Sequence, residues 1–485
     1  MNWILSCLPL LGLIAMGMSL THLVPIAISA ALHDGVTWAF AISLALNFGT
    51  GLGAWLATRR YQREIGIREG ILLVVAVWTG GSLFATVPFL LTIKGITFTD
   101  AFFEAVSGLT ATGATVLSGL DDLPPSINVW RGQLQWIGGM GVIVLAVAVL
   151  PLLGVGGRQL FKAEIPGPMK NDHLTPRITE TAKGLWFVYL MLTAACCLSY
   201  RGAGMNWIDA LVHSFTTMGL GGFSSHDASF RYFDSPLIES VAIVFMLLAG
   251  ISFATHFVAL RHLTARAYLV DVEVRYFVMT AGLSVLGIAS YLWLSNDYPD
   301  FVTALRLAAF NVISVGTTTG YSTADYSLWP VFAPLWLLFL GTFLSCSGST
   351  GGGIKMVRAV VLFKQVYREF NRLSHPQAVT PLKVAEQAIP NQIIFAVLAF
   401  FFTWTATMVT MTLVLALSGL DAMTAFSAVV ASLNNIGPGL NEVGPASNYA
   451  GLTDFQTWVC ALAMLMGRLE LFTFLIIFTA AFWRK

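Results

Sequence analysis

The chain has 485 residues, of which 56% are hydrophobic and 11% are charged, and its net charge at pH 7 is +1. Because soluble domains carry about 25% charged residues, this composition excludes an ordinary soluble protein and predicts an integral membrane protein. The nearly neutral charge gives no electrostatic footprint for binding nucleic acid. The five cysteines lie in apolar stretches without metal-ligand spacing, and we interpret them as small core residues.

Apolar runs of about 20 residues predict membrane-spanning helices. The sequence contains ten such runs: 3–32, 36–57, 70–91, 129–153, 184–199, 237–260, 276–294, 332–359, 390–417 and 456–482. The last eight form four pairs, and each pair encloses a loop rich in Gly, Thr or Ser. We expect an all-α integral membrane protein with ten transmembrane helices, in which four pseudo-symmetric span–pore-loop–span repeats follow an N-terminal helix pair. The predicted boundaries are 1–69 for the N-terminal two-helix domain and 70–183, 184–275, 276–389 and 390–485 for pore repeats 1 to 4.

Charged residues predict the orientation of the chain. If both termini are cytoplasmic, 20 of the 26 Lys and Arg residues fall on the inner side, as the positive-inside rule requires. We count 15 of the 25 acidic residues on the outer side, among them Asp100, Glu104, Asp121, Asp122, Asp209, Asp227, Asp325, Asp421 and Glu442. An acidic outer mouth would concentrate cations; the alternative is that the outer loops are merely polar.

The four pore loops cover residues 110–114, 218–224, 317–322 and 435–440. Gly and β-branched Thr disfavour a helix interior, and irregular backbone at membrane depth survives only where it is buried in protein or lines water. A short amphipathic helix precedes each loop, with predicted caps at Asp100, Asp209, Thr303 and Thr424. We align Gly113, Gly222, Gly320 and Gly439 as the central glycines. Four such loops predict one pseudo-fourfold pore, whose carbonyl groups would replace the hydration shell of an ion.

The candidate ion ligands are the backbone and hydroxyl groups of these loops. They are Thr110, Ala111, Thr112, Gly113, Leu220, Gly221, Gly222, Thr317, Thr318, Thr319, Gly320, Asn435, Ile436, Gly437, Pro438 and Gly439. The third loop, Thr-Thr-Thr-Gly-Tyr, is close to the Thr-Val-Gly-Tyr-Gly loop of potassium channels. Taken singly, each loop is also compatible with ordinary close packing of membrane helices at Gly.

With these loops, the chain resembles over its whole length the TrkH/Ktr/HKT superfamily of potassium uptake proteins, and within it the bacterial TrkH type. The resemblance implies potassium as the transported ion, no organic cofactor in this chain, and one key glycine per loop. It implies a homodimer with one pore per protomer in the bacterial inner membrane. It also implies a cytoplasmic ring of separate nucleotide-binding, TrkA-like subunits. The pair at 3–57 is similar to the extra domain that distinguishes the Trk type from the shorter Ktr type.

The second span of repeat 3 contains a Gly-rich segment that we expect not to be helical. Its residues are Gly348, Ser349, Thr350, Gly351, Gly352 and Gly353. The resemblance implies an intramembrane loop here that blocks the pore and moves on gating. A nucleotide-binding P-loop is excluded because Ile354 stands where Lys is required. A plain Gly hinge without a gating function is the remaining alternative.

Arg468 lies near the middle of the last predicted span, where an arginine costs on the order of 3 kcal/mol on insertion scales. It must therefore face a cavity or a partner. Glu470 is two residues away and points elsewhere on a helix. We interpret Arg468 as a fixed positive charge beside the cavity or as a support for the Gly-rich segment, and the family carries a basic residue at this place. The alternative is an arginine bonded to carbonyl groups of the bundle.

Together these features predict regulated potassium uptake. The sequence has no H-E-x-x-H, paired C-x-x-C or G-x-S-x-G motif, so we expect no enzyme. A symporter that couples potassium to protons or sodium is the main alternative. A coupled symporter would want an acid in the permeation path, and Glu470 is the one we find in mid-span. A structural scaffold would not need four pore loops.

Overall fold

The computed structural model describes residues 5–61, 66–148, 174–378, 380–384 and 387–484, and these residues are mainly helical. The first helices are α1 (Leu8–Ser19), α2 (Leu23–Leu32), α3 (Thr37–Thr58), α4 (Ile67–Ala85), α5 (Val87–Thr92), α6 (Phe98–Leu109) and α7 (Pro125–Ala148). The next are α8 (Leu174–Gly202), α9 (Trp207–Gly219), α10 (Pro236–Gly250), α11 (Phe253–His262), α12 (Arg266–Val270), α13 (Val272–Leu294) and α14 (Phe301–Gly316). The last are α15 (Phe332–Gly341), α16 (Met356–Ser374), α17 (Asn391–Leu417), α18 (Ala422–Leu433), α19 (Asp454–Arg468), α20 (Leu471–Leu475) and α21 (Ala480–Trp483). Strands β1 (Lys383–Val384) and β2 (Gln387–Ala388) pair antiparallel, with Lys383 opposite Ala388.

Six helical segments within the described residues are long and apolar enough to cross a membrane. They are Leu8–Leu32, Thr37–Tyr61, Ile67–Thr92, Ala182–Gly202, Val272–Leu294 and Asn391–Leu417. Two bent helix pairs, α10 with α11 and α19 with the segment Leu471–Phe478, bring the number to eight if each pair is one span. The predicted count of ten stays a prediction, because the predicted span 129–153 runs past the described residues at 148. Five basic residues that we assigned to the inner side also lie outside the described residues: Arg63, Arg158, Lys162, Lys170 and Lys485.

Three of the predicted spans are broken at mid-length. Helices α10 and α11 meet at an angle of 95°, and α19 meets the segment that follows it at 115°. Between α15 and α16, residues 342–355 contain no helix, which is the region of the Gly-rich segment. Arg468 is the last residue of α19, so it lies at a helix break and not inside a continuous helix.

The four short helices α6, α9, α14 and α18 begin with one shared cap geometry. In each, a side-chain oxygen of the residue before the helix accepts a hydrogen bond from the backbone N–H three residues further on. The pairs are Thr97 with Asp100, Asn206 with Asp209, Asp300 with Thr303 and Asp421 with Thr424. The caps predicted at Asp100, Asp209, Thr303 and Thr424 are therefore wrong by three residues. Those four residues supply the N–H group inside the first turn and do not cap it.

The short helices pack in a closed cycle. Each lies against a longer helix that precedes it and the helix that follows it in the chain, so α6 packs on α4 and α7, and α14 packs on α13 and α15. Each following helix also packs on the next short helix: α7 on α9, α10 on α14, α15 on α18 and α19 on α6. This cyclic packing brings the C-terminal ends of the four short helices, and the loops that follow them, to one place.

Candidate ion-binding site

The four pore loops leave their short helices through the same backbone turn. In the first loop, the N–H of Thr112 donates to the carbonyl of Ser107 at 2.9 Å. The matching bonds run from Gly221 to Thr216, from Thr319 to Ser314 and from Ile436 to Ala431, at 2.8–2.9 Å. The residue before each of these donors has a left-handed backbone with φ of 50–63°; these residues are Ala111, Leu220, Thr318 and Asn435. Because such a φ is uncommon outside Gly, its recurrence shows that the four turns are equivalent.

The loops close into a ring through contacts between a glycine and a carbonyl group. A Cβ atom added to Gly113 would lie 2.0 Å from the carbonyl oxygen of Gly221 in the second loop. A Cβ atom added to Gly222 would lie 2.0 Å from the carbonyl oxygen of Thr319 in the third loop. One added to Gly320 would lie 2.1 Å from that of Ile436, and one added to Gly437 would lie 2.7 Å from that of Thr112 in the first loop. All four glycines have a φ between 76° and 99°. We call Gly113, Gly222, Gly320 and Gly437 the ring glycines, because no side chain fits at any of them.

The fourth ring glycine is Gly437, which corrects the alignment of Gly439 with the other three. Gly437 has a φ of 99° and contacts the first loop, as the cyclic pattern requires. Gly439 lies two residues further on and faces Val443 and Ser427 of its own repeat. Pro438, between them, approaches Gly320 of the third loop. The hydroxyl of Tyr449 donates to the carbonyl of Gly437 at 2.9 Å and so holds this loop from outside.

Threonine hydroxyls brace the loops from within. Thr110 and Thr112 share a hydrogen bond of 2.7 Å between their Oγ1 atoms, and Thr317 and Thr319 share one of 2.8 Å. The side-chain amide of Asn435 donates to Thr112 Oγ1 at 2.9 Å and links the fourth loop to the first. These hydroxyl groups therefore hold the backbone in place, which leaves the backbone carbonyl groups as the main oxygen atoms available for an ion.

A cavity of about 80 Å³ lies on one side of the ring. It is the side to which each loop continues after its ring glycine. Its lining includes Gly113, Gly222, Gly320 and Pro438 of the loops, together with Asp227 and His226. The described residues contain no group of three His, Cys, Asp or Glu that could hold a metal ion. Asp227 of this lining and Asp121, which bonds to His226, are both exposed, as an acidic mouth requires.

Glu104 does not belong to the acidic mouth, contrary to the prediction. Its side chain is fully buried, and its carboxylate accepts a hydrogen bond from Arg131 Nε at 2.7 Å. Arg131 is equally buried, and its guanidinium lies 4.2 Å from the ring centroid of Phe223. Sequence analysis missed this pair. The signal was present: a carboxylate inside an apolar short helix and an arginine at the start of an apolar run both need a partner.

His226 lies between two carboxylates at the same opening. Its Nε2 is 3.2 Å from Asp209, its Nδ1 is bonded to Asp121, and its ring stacks on Tyr232 at 3.5 Å. Burial lowers the pKa of His226, but the hydrogen bonds and charges of Asp209 and Asp121 outweigh burial and raise the pKa above its ordinary value. When His226 is protonated, its imidazolium neutralises part of the acidic mouth.

The Gly-rich segment lies directly against the C-terminal ends of three short helices. Thr350 Oγ1 donates to the carbonyl of Met218 at 2.9 Å, and the N–H of Gly352 donates to Thr318 Oγ1 at 2.8 Å. A Cβ added to Gly352 would lie 2.1 Å from the carbonyl oxygen of Asn434. The segment thus contacts α9, the third loop and the end of α18, on the face of the ring opposite the cavity.

Arg468 supports this segment from the break in the last span. Its guanidinium donates to the carbonyl of Thr350 at 2.8 Å and to that of Gly138 in α7 at 3.1 Å. As the sequence predicted, Glu470 does not pair with Arg468. It pairs with Arg358 at 2.9 Å. Lys355, also at the end of the segment, donates to the carbonyl of Gly351. Two cationic side chains therefore hold the backbone of the Gly-rich segment.

Comparisons with known proteins agree with this architecture. The model of the TrkH family, described as cation transport protein, matches residues 37–485. The chain is 47% identical over 481 residues to the Trk system potassium uptake protein TrkH of Halomonas elongata, with 99% of each chain covered. It is 43% identical to the protein of the same name from Escherichia coli K12, with 98% of each chain covered. The crystal structure of the potassium transporter TrkH from Vibrio parahaemolyticus superimposes with a TM-score of 0.91 at 40% identity, and covers 100% of this chain and 99% of that one.

Proposed function

The chain belongs to the TrkH family of cation transport proteins, and from this premise we propose that it takes up potassium through the centre of the loop ring. The observation that carries the proposal is the cycle of glycine–carbonyl contacts from the first loop through the fourth and back to the first. Such a cycle surrounds one axis with backbone oxygen atoms. Carbonyl groups arranged in this way replace the hydration shell of an alkali ion.

The ligands in this proposal are the backbone carbonyl groups of the candidate ligands in the four pore loops. In the fourth loop we exclude Gly439, which faces its own repeat. The short helices add to the attraction, because the C-terminal end of a helix carries a partial negative charge. Four such ends point towards the region below the ring. A potassium ion that leaves the ring on that side would therefore meet a favourable electrostatic environment.

The gate in this proposal is the Gly-rich segment, Gly348 to Gly353, held closed by Arg468. This proposal is supported by the hydrogen bonds of the segment to Met218 and Thr318 and by the bond that Arg468 donates to Thr350. Opening would break these hydrogen bonds and move the segment aside. Three adjacent glycines make such a rearrangement cheap, because they permit many backbone conformations.

The proposed assembly is a homodimer in the bacterial inner membrane, with ten spans and both termini in the cytoplasm. Each protomer has its own pore, built from the repeats at 70–183, 184–275, 276–389 and 390–485 after the N-terminal domain at 1–69. A cytoplasmic ring of nucleotide-binding, TrkA-like subunits would act on the gate. Helix α16 follows the Gly-rich segment directly and carries Lys364, Arg368 and Arg372 in its second half, so a partner that moves this helix would also act on the segment.

A potassium symporter coupled to protons or sodium is the second candidate function. It would need an ionisable acid in the permeation path. Glu470, the acid that the sequence offered for this role, forms an ion pair with Arg358.

Membership in a family of transport proteins confirms the prediction that the chain is not an enzyme.

Ion flux in liposomes that contain the purified chain separates these functions. We expect potassium to move down its own gradient without a gradient of protons or sodium, and sodium flux to be much smaller. Potassium flux that requires a second gradient would show symport. Equal flux of potassium and sodium would show that the ring is not a selectivity filter.

A further inference from the structure

The chain returns outwards from each ring glycine along a stretch that we call the return limb: residues 114–117, 223–226, 321–324 and 438–441. In three loops, a polar side chain of the preceding short helix bonds to this limb. The bracing residues are Glu104, His213 and Asn311, and each stands nine residues before its ring glycine. A polar residue at one repeated offset inside an apolar helix indicates a shared structural task.

The geometry of the three braces is similar although their chemistry differs. Glu104 accepts from Thr115 Oγ1 at 2.9 Å and from the N–H of Val116 at 3.2 Å. His213 Nε2 lies 2.9 Å from Ser224 Oγ. Both braces therefore contact the return limb two to three residues beyond the ring glycine.

The third brace uses both ends of an amide, and the fourth loop uses a hydroxyl. Asn311 donates to Thr323 Oγ1 at 2.9 Å and accepts from the N–H of Thr323 at 3.3 Å. In the fourth short helix the corresponding position is Ala428, and the preceding Ser427 accepts from the N–H of Leu440 at 2.9 Å. The four limbs are thus held by an ionised carboxylate, an imidazole, an amide and a hydroxyl.

The brace in the first repeat is distinct because its carboxylate belongs to a buried ion pair. Arg131 donates through Nε to Glu104 and through a terminal nitrogen to the carbonyl of Ser224 at 2.9 Å. Its other terminal nitrogen is 3.3 Å from Thr115 Oγ1. Arg131 therefore reaches the return limbs of both the first and the second loop. The planar, five-donor guanidinium suits this task, which a lysine cannot reproduce.

Stability alone is a weak explanation for such a pair. Desolvation of two buried charges offsets most of their attraction, and apolar replacements of similar volume are often neutral or stabilising. What the pair provides is a fixed separation between two limbs, since charge-assisted hydrogen bonds are short and directional. The carbonyl groups of the ring lie one or two residues from those limbs.

We propose that Glu104 and Arg131 are positioning residues that set the ion selectivity of the ring by fixing the spacing of the first two return limbs. The proposal rests on the proposed function, because it assigns these residues a role in a potassium-selective pore. Neither side chain needs to touch the ion. They act through the hydroxyl of Thr115 and through the backbone of Val116 and Ser224.

The test compares Arg131→Lys and Glu104→Gln with a matched control. The control is Glu239→Gln, because Glu239 is a buried carboxylate paired with Arg306 at 2.7 Å and belongs to α10, outside the pore loops. The readout is the ratio of potassium to sodium flux in liposomes. We expect Arg131→Lys and Glu104→Gln to lower this ratio about tenfold, the loss expected for one charge-assisted hydrogen bond. Glu239→Gln should leave it unchanged.

A milder variant guards against a folding defect. Thr115→Val keeps the shape of the side chain and both buried charges, but removes the hydroxyl that bonds to Glu104. It should lower the selectivity ratio in the same direction by a smaller factor. The inference is overturned if Thr115→Val and Arg131→Lys both select as the wild type does, or if Glu239→Gln loses selectivity equally. If the wild type itself shows no potassium selectivity, the proposed function fails instead.

Discussion

The loop ring and the Gly-rich segment are both irregular backbone inside the helix bundle, yet they are held in different ways. Each pore loop bonds to the end of its own short helix, as Thr112 does to Ser107. The Gly-rich segment bonds to other elements: Gly352 to Thr318, Thr350 to Met218, and Arg468 to Thr350. Bonds within each repeat, together with the link from Asn435 to Thr112, fix the ring in the fold. The segment is held by separate elements, and the proposed function requires it to leave them on opening.

The ring glycines and Gly352 of the segment exclude a side chain for different reasons. At the ring glycines, the positive φ and the neighbouring carbonyl oxygen both exclude a side chain. At Gly352 the φ is ordinary, and the obstacle is one carbonyl oxygen of Asn434 beneath the ring. Movement of the segment away from the ring would remove that obstacle. The four ring positions therefore require glycine at all times, whereas position 352 requires glycine only while the segment lies against the ring.

The largest effect should come from a side chain in the ring. Gly437→Ser should abolish potassium selectivity or flux, because its Cβ would meet the first loop and its φ alone costs about 1–2 kcal/mol for a non-Gly residue. Gly439→Ser should be much milder, since Gly439 has an ordinary φ and faces side chains of its own repeat. Flux ratios in liposomes check both. An equal loss of selectivity or flux from the two substitutions would show that Gly439 also belongs to the ring.

The next effect concerns the releasable segment. Deleting part of Gly348–Gly353 should raise basal potassium flux severalfold and weaken its dependence on a cytoplasmic partner, while the ring continues to select. Thr350→Val, which removes the bond to Met218, should do the same more weakly. Thr342→Val is the matched control, because among the described residues its hydroxyl donates within its own turn, to the carbonyl of Phe339 at 2.7 Å. Unchanged flux in a folded deletion variant would show that the segment is not the gate.

Arg468→Ala should also raise basal flux. It removes two charge-assisted hydrogen bonds, each worth about 1.5–3 kcal/mol, from the backbone of Thr350 and Gly138. Arg358→Gln is the comparison, since Arg358 pairs with Glu470 and packs on Phe400. Normal flux together with a sharp fall in thermal stability would make Arg468 a structural residue alone.

The smallest effect should be a pH dependence at the outer mouth. His226 faces Asp121, Asp209 and His213, and the two carboxylates raise its pKa above the ordinary value. It is therefore charged below that pKa, and its stabilising pairs are lost as external pH rises through it. The mouth then gains net negative charge, so the apparent affinity for potassium should rise by about twofold. His226→Gln should flatten this profile of KM against pH. If the variant keeps the profile of the wild type, His226 does not cause the pH dependence.

The sequence predicted the loops but not their exact contacts. Gly and Thr in an apolar chain are enough to mark Thr110–Gly113 or Thr317–Gly320 as irregular. In Gly437-Pro438-Gly439, however, two glycines flank one proline, and only the backbone φ and the neighbouring loop distinguish them. The caps were displaced for a similar reason, because Thr97 and Asp100 are both good capping residues and the sequence does not show which accepts the hydrogen bond.

Pairs between distant segments were the hardest to predict. Glu104 and Arg131 are 27 residues apart, and the sequence placed Glu104 in the acidic mouth without indicating a partner. Their burial follows from the packing of α6 on α7, which no local pattern encodes. Arg468 was easier, because a charge deep in an apolar run demands a partner wherever the helix ends. Its actual partners, the carbonyl groups of Thr350 and Gly138, depend on the Gly-rich segment and α7 both lying beside the helix break at Arg468.

The central claim is that the four ring glycines surround one alkali-ion site. Anomalous scattering from crystals of the protein grown with Rb⁺ in place of K⁺ tests it directly. We expect one dominant Rb⁺ peak on the axis of the ring, level with Gly113, Gly222, Gly320 and Gly437. Four equally occupied stacked peaks, or no peak in the ring of a protein that still conducts Rb⁺, would contradict the claim.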